Sequence, residues 1–298
     1  MRVVSLLPST TEILFAIGAG DDVVGVTFEC DHPAEARARR IVSTSTLPEG
    51  LSPAQIDLEV KARMAAGEDL YRLEEGALRD LDPDVVVTQD LCAVCAVDVG
   101  EVDEALDHLG CRAEVVTVDP MTLDEVLRSF EDLGAVTGRQ EPARRLVAAL
   151  RDRLAAVATA VAGRPRPRVA VLEWTEPFFC AGHWVPDLVA AGGGEPVLAA
   201  PGGRSHQIDP ASVVAADPDI VLVAPCGYRL EGARELAGGL VDGGTLPRRA
   251  AVWAVDADAL FVRPGPRVVE GVEAVAGICH PDHWRLPPGS AALVAAGR

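Results

Sequence analysis

Positive charge is in short supply in this 298-residue sequence: 27 Lys and Arg stand against 45 Asp and Glu, a formal net charge of −18. Such a chain repels phosphate backbones and anionic lipid surfaces, which argues against a nucleic-acid partner. Long apolar runs are missing too. A membrane-spanning helix needs about 18–20 unbroken apolar residues, whereas the best candidate, Leu154–Gly163, runs into Arg164, so no membrane insertion is expected. Residues 1–8, Met-Arg-Val-Val-Ser-Leu-Leu-Pro, lack the basic region, long apolar stretch and small-residue cleavage site of an export signal. The seven cysteines are an odd number in a chain too large to need disulfide staples, which suits a reducing compartment. The expected location is therefore cytoplasmic; the alternative is an exported protein whose signal peptide is missing from the sequence. Catalytic signatures are absent as well: no Gly-x-Ser-x-Gly elbow, His-Glu-x-x-His helix or Walker loop occurs, and Gly192–Gly194 do not follow the dinucleotide-binding order. The acid pair Glu173 and Glu176 suits polar rim contacts as well as acid–base work. The reading is of a non-catalytic protein.

What is present is an alternation of brief β-branched runs with helix-like stretches. Val3–Leu7 and Val23–Phe28 read as buried parallel strands, and between them Ser9-Thr10-Thr11-Glu12 has the spacing of a capping box before the apolar run Ile13–Ile17. Val85–Gln89 and Val115–Val118 flank a helix-like stretch at Glu101–Leu109. Val169–Trp174 and Ile220–Val223 repeat the scheme. Asp82-Pro83-Asp84 and Asp217-Pro218-Asp219 each lead into a strand, 217 − 82 = 135 residues apart. The pattern predicts an α/β protein of two similar lobes with parallel sheets: an N-terminal lobe over 1–120, linking helices over 121–164 and a C-terminal lobe over 165–298. Leu123–Val136 and Pro142–Ala162 read as helix, the second long enough to join the lobes as a stiff hinge.

In parallel α/β sheets ligands bind beyond the carboxyl ends of the strands. A census there finds Phe28, Cys30 and His32 after the second strand, Gln89, Cys92 and Cys95 after Val85–Thr88, a dense run from Glu173 to Trp184, and Cys226 with Tyr228 after Val223. In a chain only 4% aromatic, this concentration points to a flat, largely apolar ligand held between lobes by ring contacts. Phe178 and Phe179 follow Pro177 in what reads as a loop, and Trp174 fits either the core or the ligand. His183 and Trp184 precede a helix starting at Pro186; the imidazole suits either an axial metal contact or a turn-shaping hydrogen bond. Arg204 and His206 lie in a glycine-rich loop suited to closing over a ligand. Cys30, Cys92 and Cys95 form a candidate zinc or iron site if their loops meet; apolar packing and redox pairing remain open for the Cys-x-x-Cys pair. His280 and His283 fit a packed terminus and stay outside the site.

Ser5-Leu6-Leu7-Pro8-Ser9-Thr10-Thr11-Glu12 followed by Gly18, the Asp-Pro-Asp strands, the linking helix and the Ala191-Gly192-Gly193 run together resemble the class III substrate-binding proteins of ABC importers for cobalamin and iron chelates, with the cobalamin-binding branch nearest. The resemblance covers nearly the whole chain. It implies two Rossmann-like lobes bridged by one long helix, cobalamin or another metal chelate as ligand in the cleft, no required cofactor, and an importer permease as partner. The chain departs from that pattern in its cysteines at 30, 92, 95, 180 and 226 and in having no lipid-anchor cysteine near residue 1. The alternative is a cytoplasmic metal- or cluster-binding protein or enzyme that uses the cleft cysteines.

Overall fold

A computed structural model describes residues 1–48, 50–66, 68, 70–73, 78, 81–89 and 113–297. The chain groups into two compact units, Met1–Pro120 with Leu127–Val147, and Met121–Val126 with Ala148–Arg298. One helix of 22 residues, Gln140–Val161, contributes its start to the first unit and the rest to the second.

In the first unit the described strands are β1 (Val3–Ser5), β2 (Val23–Thr27), β3 (Arg40–Ser45), β4 (Tyr71–Leu73), β5 (Val85–Thr88) and β6 (Glu114–Thr117), in the sheet order β4-β3-β2-β1-β5-β6. All neighbours are parallel except β3 and β4. The chain winds outward from β1 through β2 to β3, then returns to β5 on the other side of β1, so the sheet changes winding direction beside its first strand. β5 is buried along its whole length, as an apolar run covered on both faces requires. Val4, Leu6, Val42, Leu81 and Val86 form the core on one face.

The second unit holds β7 (Arg168–Thr175), β8 (Phe178–Cys180), β9 (Glu195–Pro196), β10 (His206–Gln207), β11 (Ile220–Val223), β12 (Ala251–Val255) and β13 (Ala291–Ala295), ordered β10-β8-β7-β11-β12-β13 with β9 beside β7. Its centre, β7, β11 and β12, is parallel, but β8, β10 and β13 pair antiparallel. Here the structure departs from the sheet expected: the segment after Pro177, read as a loop, is a strand that turns back on β7. Phe178 faces inward at 5% exposure and packs with Ala170, Leu172, Val221 and Leu240. Burying such a ring stabilises by about 2–3 kcal/mol, which outweighs any loop preference of the preceding proline.

The two Asp-Pro-Asp tripeptides build the same joint. Asp82 and Asp217 both take left-handed backbone, φ 38° and 49°. Two residues on, the Asp84 carboxylate accepts from the Arg2 amide (2.7 Å) and the Asp84 amide donates to the Arg2 carbonyl (2.8 Å). Asp219 and Arg168 repeat this at 2.8 and 2.9 Å. The guanidinium of Arg2 donates to the carbonyl of Leu81, and that of Arg168 to the carbonyl of Ala216, the equivalent residue before each left-handed aspartate. Each joint locks the start of the first strand of its unit (β1, β7) to the start of its parallel neighbour (β5, β11).

The capping box expected at Ser9–Glu12 does not form. α1 (Pro8–Ala16) starts two residues earlier than that box would place it, because proline's fixed φ suits the first helical position, and Leu7 is its N-cap. The hydroxyls of Thr10 and Thr11 turn back onto the Leu7 carbonyl at 3.1 and 3.0 Å. A capping box does open the helix Leu123–Val136: the Glu125 amide donates to Thr122 Oγ1 and the Thr122 amide donates to Glu125 Oε2. The stretch Glu101–Leu109 lies outside the described residues.

Candidate ligand-binding site

The carboxyl-terminal edge of the second sheet carries the densest chemistry. β7 ends in Glu173, Trp174 and Thr175, and β11 is followed by Ala224-Pro225-Cys226-Gly227-Tyr228. The Cys226 amide donates to the Glu173 carbonyl (3.0 Å), which extends the strand pairing one step beyond β11 and brings Tyr228 against Trp174. Their rings meet edge to face, centroids 6.1 Å apart and planes at 64°. That geometry is favourable for aromatic pairs. The Trp174 Nε1 proton is committed to the Glu176 carbonyl (3.1 Å). Burial pushes the Tyr228 phenol up from its ordinary pKa, so it stays protonated.

His183, three residues past β8, takes left-handed backbone, φ 52°, its amide donating to the Gly203 carbonyl and its carbonyl accepting from the Gly202 amide (3.1 Å). A non-glycine residue in that conformation costs free energy that the surrounding loop must offset, a feature that concentrates at functional sites. Its Nδ1 lies 3.5 Å from Ser205 Oγ, which in turn accepts from the Gly182 amide at 3.0 Å. Burial first, and the Arg204 guanidinium second, hold the imidazole below its ordinary pKa, so it is neutral at neutral pH. His206 pairs with Cys180 across β10 and β8, with Nδ1 3.3 Å from Cys180 Sγ. Burial, the largest influence on Cys180, raises its thiol pKa and keeps it protonated. Arg204 and His206 are exposed, and Phe179 is half-buried opposite Trp174.

Two aromatics expected at the ligand are core instead. Phe178 faces the sheet interior, as described above. Trp184, at 6% exposure, donates its indole proton to the Phe261 carbonyl at 2.7 Å, a buried hydrogen bond that ties it inward.

The first unit has a simpler edge. Phe28 follows β2 at 40% exposure, and its ring lies 6.1 Å from that of Tyr71. Tyr71 opens β4 opposite Ser45, the last residue of β3, which puts it at the same sheet edge. Its hydroxyl lies 3.3 Å from both carboxylate oxygens of Glu29. Gln89 is buried at the end of β5. Tyr71 was missed in the sequence because no motif surrounds it. Scarcity was the available signal: the chain has two tyrosines, and each lies at the carboxyl edge of its own sheet.

Of the expected cysteine metal site, Cys30 alone lies among the described residues. Cys30 is 2% exposed, with Sγ 3.1 Å from Thr11 Oγ1 and 3.2 Å from Thr27 Oγ1. Cys92 and Cys95 lie outside the described residues. Among the described residues no group of three or more His, Cys, Asp or Glu side chains is arranged to hold a metal ion, and no helix is long and apolar enough to cross a membrane. His280 is buried, Nε2 3.2 Å from the Gly193 carbonyl.

Comparison with known proteins fits this geometry. A cobalamin-binding protein of Halobacterium salinarum is 26% identical over 292 residues, covering 94% of this chain and 69% of that protein. An uncharacterized ABC transporter substrate-binding lipoprotein of Bacillus subtilis is 25% identical over 295 residues, covering 95% and 81%. Among solved structures, a periplasmic heme-binding protein of Pseudomonas aeruginosa shares the fold with a TM-score of 0.71 at 19% identity, over 100% of this chain and 99% of that one. These relatives are binding proteins, not enzymes, and their names give no support to a cytoplasmic location or to a separate metal centre. The family model described as periplasmic binding protein matches residues 3–238, and the chain belongs to that family.

Proposed function

We propose that this protein is the exported substrate-binding component of an ABC importer and that its ligand is a flat metal chelate, a corrinoid first and a heme or iron chelate second. One observation carries the reading. A chain with 12 aromatic residues, four Trp, two Tyr and six Phe, puts an edge-to-face Trp174–Tyr228 pair at the carboxyl edge of one sheet and a Phe28–Tyr71 pair at that edge of the other. Rings at strand ends suit a large planar ligand, whose apolar faces gain from ring contact and whose polar rim finds hydrogen-bonding groups nearby.

In the second unit Trp174, Phe179 and Tyr228 supply the apolar contact, and His183, Arg204 and His206 the polar one. Phe28 and Gln89, with Tyr71, are the equivalents in the first unit. Neutral His183 offers either a hydrogen bond or a lone pair to a chelated metal, and Arg204 suits an anionic or amide periphery. The protein makes or breaks no bond in its ligand; it selects and delivers it to a permease. The names of the relatives support export, cobalamin or heme as cargo, and an importer as partner.

The test is spectroscopic. Protein mixed with hydroxocobalamin or hemin and passed through a desalting column is expected to retain close to one equivalent of chromophore with a shifted visible spectrum. A colourless eluate from both mixtures would overturn the ligand assignment.

A further inference from the structure

Tyr228 is held at several points. Gly227 takes φ +78°, which closes the turn so that the Tyr228 amide donates to the Pro225 carbonyl at 3.1 Å. The Tyr228 carbonyl accepts from the Asp258 amide at 3.1 Å, and the Asp258 carboxylate is fixed by Arg263 at 2.9 Å, both side chains largely buried. The ring then lies against the first turn of the helix Leu230–Asp242, directly over Gly232. A β-carbon at position 232 would come within 2.8 Å of Cδ1 of Tyr228, well inside the roughly 3.5–4.0 Å at which carbon atoms pack. Glycine is otherwise a poor choice inside a helix, and alanine would favour it.

We infer that Gly232 is a positioning residue: its bare α-carbon lets the Tyr228 ring stand edge-on to Trp174, and so sets the aromatic wall that selects the ligand. The inference rests on the proposed binding role. A side chain at 232 displaces the ring by an ångström or so without touching the ligand, and the affinity falls because a rigid, pre-set contact becomes one the ligand must arrange.

Because the chain has two tyrosines, 3-fluorotyrosine labelling gives two fluorine resonances, and Tyr228→Phe assigns them. Gly232→Ala is expected to move the Tyr228 resonance and leave that of Tyr71 in place, with an unchanged or higher melting temperature. Affinity for hydroxocobalamin or hemin, whichever the wild type binds, is expected to fall about tenfold. In a Tyr228→Ala background the same Gly232→Ala change is expected to shift affinity less than about twofold, because the ring through which it acts is gone. An unmoved Tyr228 resonance, or an equal affinity loss with and without the Tyr228 ring, would overturn the inference. If the wild type binds neither chromophore, the ligand assignment falls and the fluorine spectra decide the positioning role on their own.

Discussion

In the first unit Asp84 exchanges two hydrogen bonds with Arg2, and in the second Asp219 does the same with Arg168; each pair follows a left-handed aspartate, and each arginine reaches back to the carbonyl before it. At the opposite ends of the same strands each unit carries a tyrosine-containing aromatic pair, but the residues around it differ. The first carries Phe28 and Tyr71 with Glu29, and the second Trp174 and Tyr228 with Cys226. The starting edges of the strands do the same work in both units, joining neighbouring strands in register. The finishing edges differ in the groups they present, and on the proposed function these are the groups that meet the ligand. On the proposed function, stability and recognition then fall at opposite ends of one set of strands.

Four substitution experiments break or sharpen that contrast. The largest effect is expected from Phe178→Ala, which removes a ring from the core of the second unit and costs about 3–5 kcal/mol in thermal or denaturant unfolding. Its neighbour Phe179→Ala, on the opposite face of the same strand, is expected to cost about 1 kcal/mol. Equal losses would mean that the strand does not separate a core face from an outer one.

Next come Trp174→Ala and Tyr228→Ala, each expected to weaken chromophore binding at least tenfold, from lost ring contact. Urea midpoints should move little, since neither ring belongs to the core cluster. At the starting edges the pattern inverts. Asp84→Ala and Asp219→Ala are each expected to cost about 1 kcal/mol of stability, the scale of one exposed hydrogen-bond set, and to leave affinity unchanged. A binding defect in either would erase the distinction between the two edges.

The smallest effect is a pH dependence. His183 is held below its ordinary pKa by burial and Arg204, so the folded state takes up its proton later than the unfolded chain as pH falls. Stability from this residue is present above the ordinary histidine pKa and is lost as pH drops from there toward the lower folded value. His183→Gln should flatten the stability curve in that window; a curve unchanged by the substitution would contradict the burial of the imidazole.

Much of the fold was legible because its signals are local. Buried parallel strands announce themselves as short β-branched runs, and Asp-Pro-Asp marked both joints although the arginines that complete them lie 82 and 51 residues away. Local signals also misled. Ser9–Glu12 has capping spacing, yet Pro8 starts the helix first, while the box that does form at Thr122–Glu125 passed unnoticed. Phe178 and Trp184 looked like ligand contacts by composition; their inward direction depends on a strand reversal and on the Phe261 carbonyl 77 residues away, neither of which a linear pattern encodes. Of the candidate site, the edge positions of Trp174 and Tyr228 were legible from their place at the ends of apolar strand runs. Tyr71 was not, because an antiparallel edge strand, rather than a parallel one, delivers it.

The central claim is that the finishing edges of these strands recognise a flat metal chelate. Isothermal titration of the wild-type chain with hydroxocobalamin, cyanocobalamin and hemin tests it most directly. The account predicts saturable binding of at least one of the three at one equivalent per chain, weakened at least tenfold by Trp174→Ala and unaffected by Asp219→Ala. No heat with any of the three, alongside clear binding of a small non-chelate solute such as an amino acid or a sugar, would contradict it.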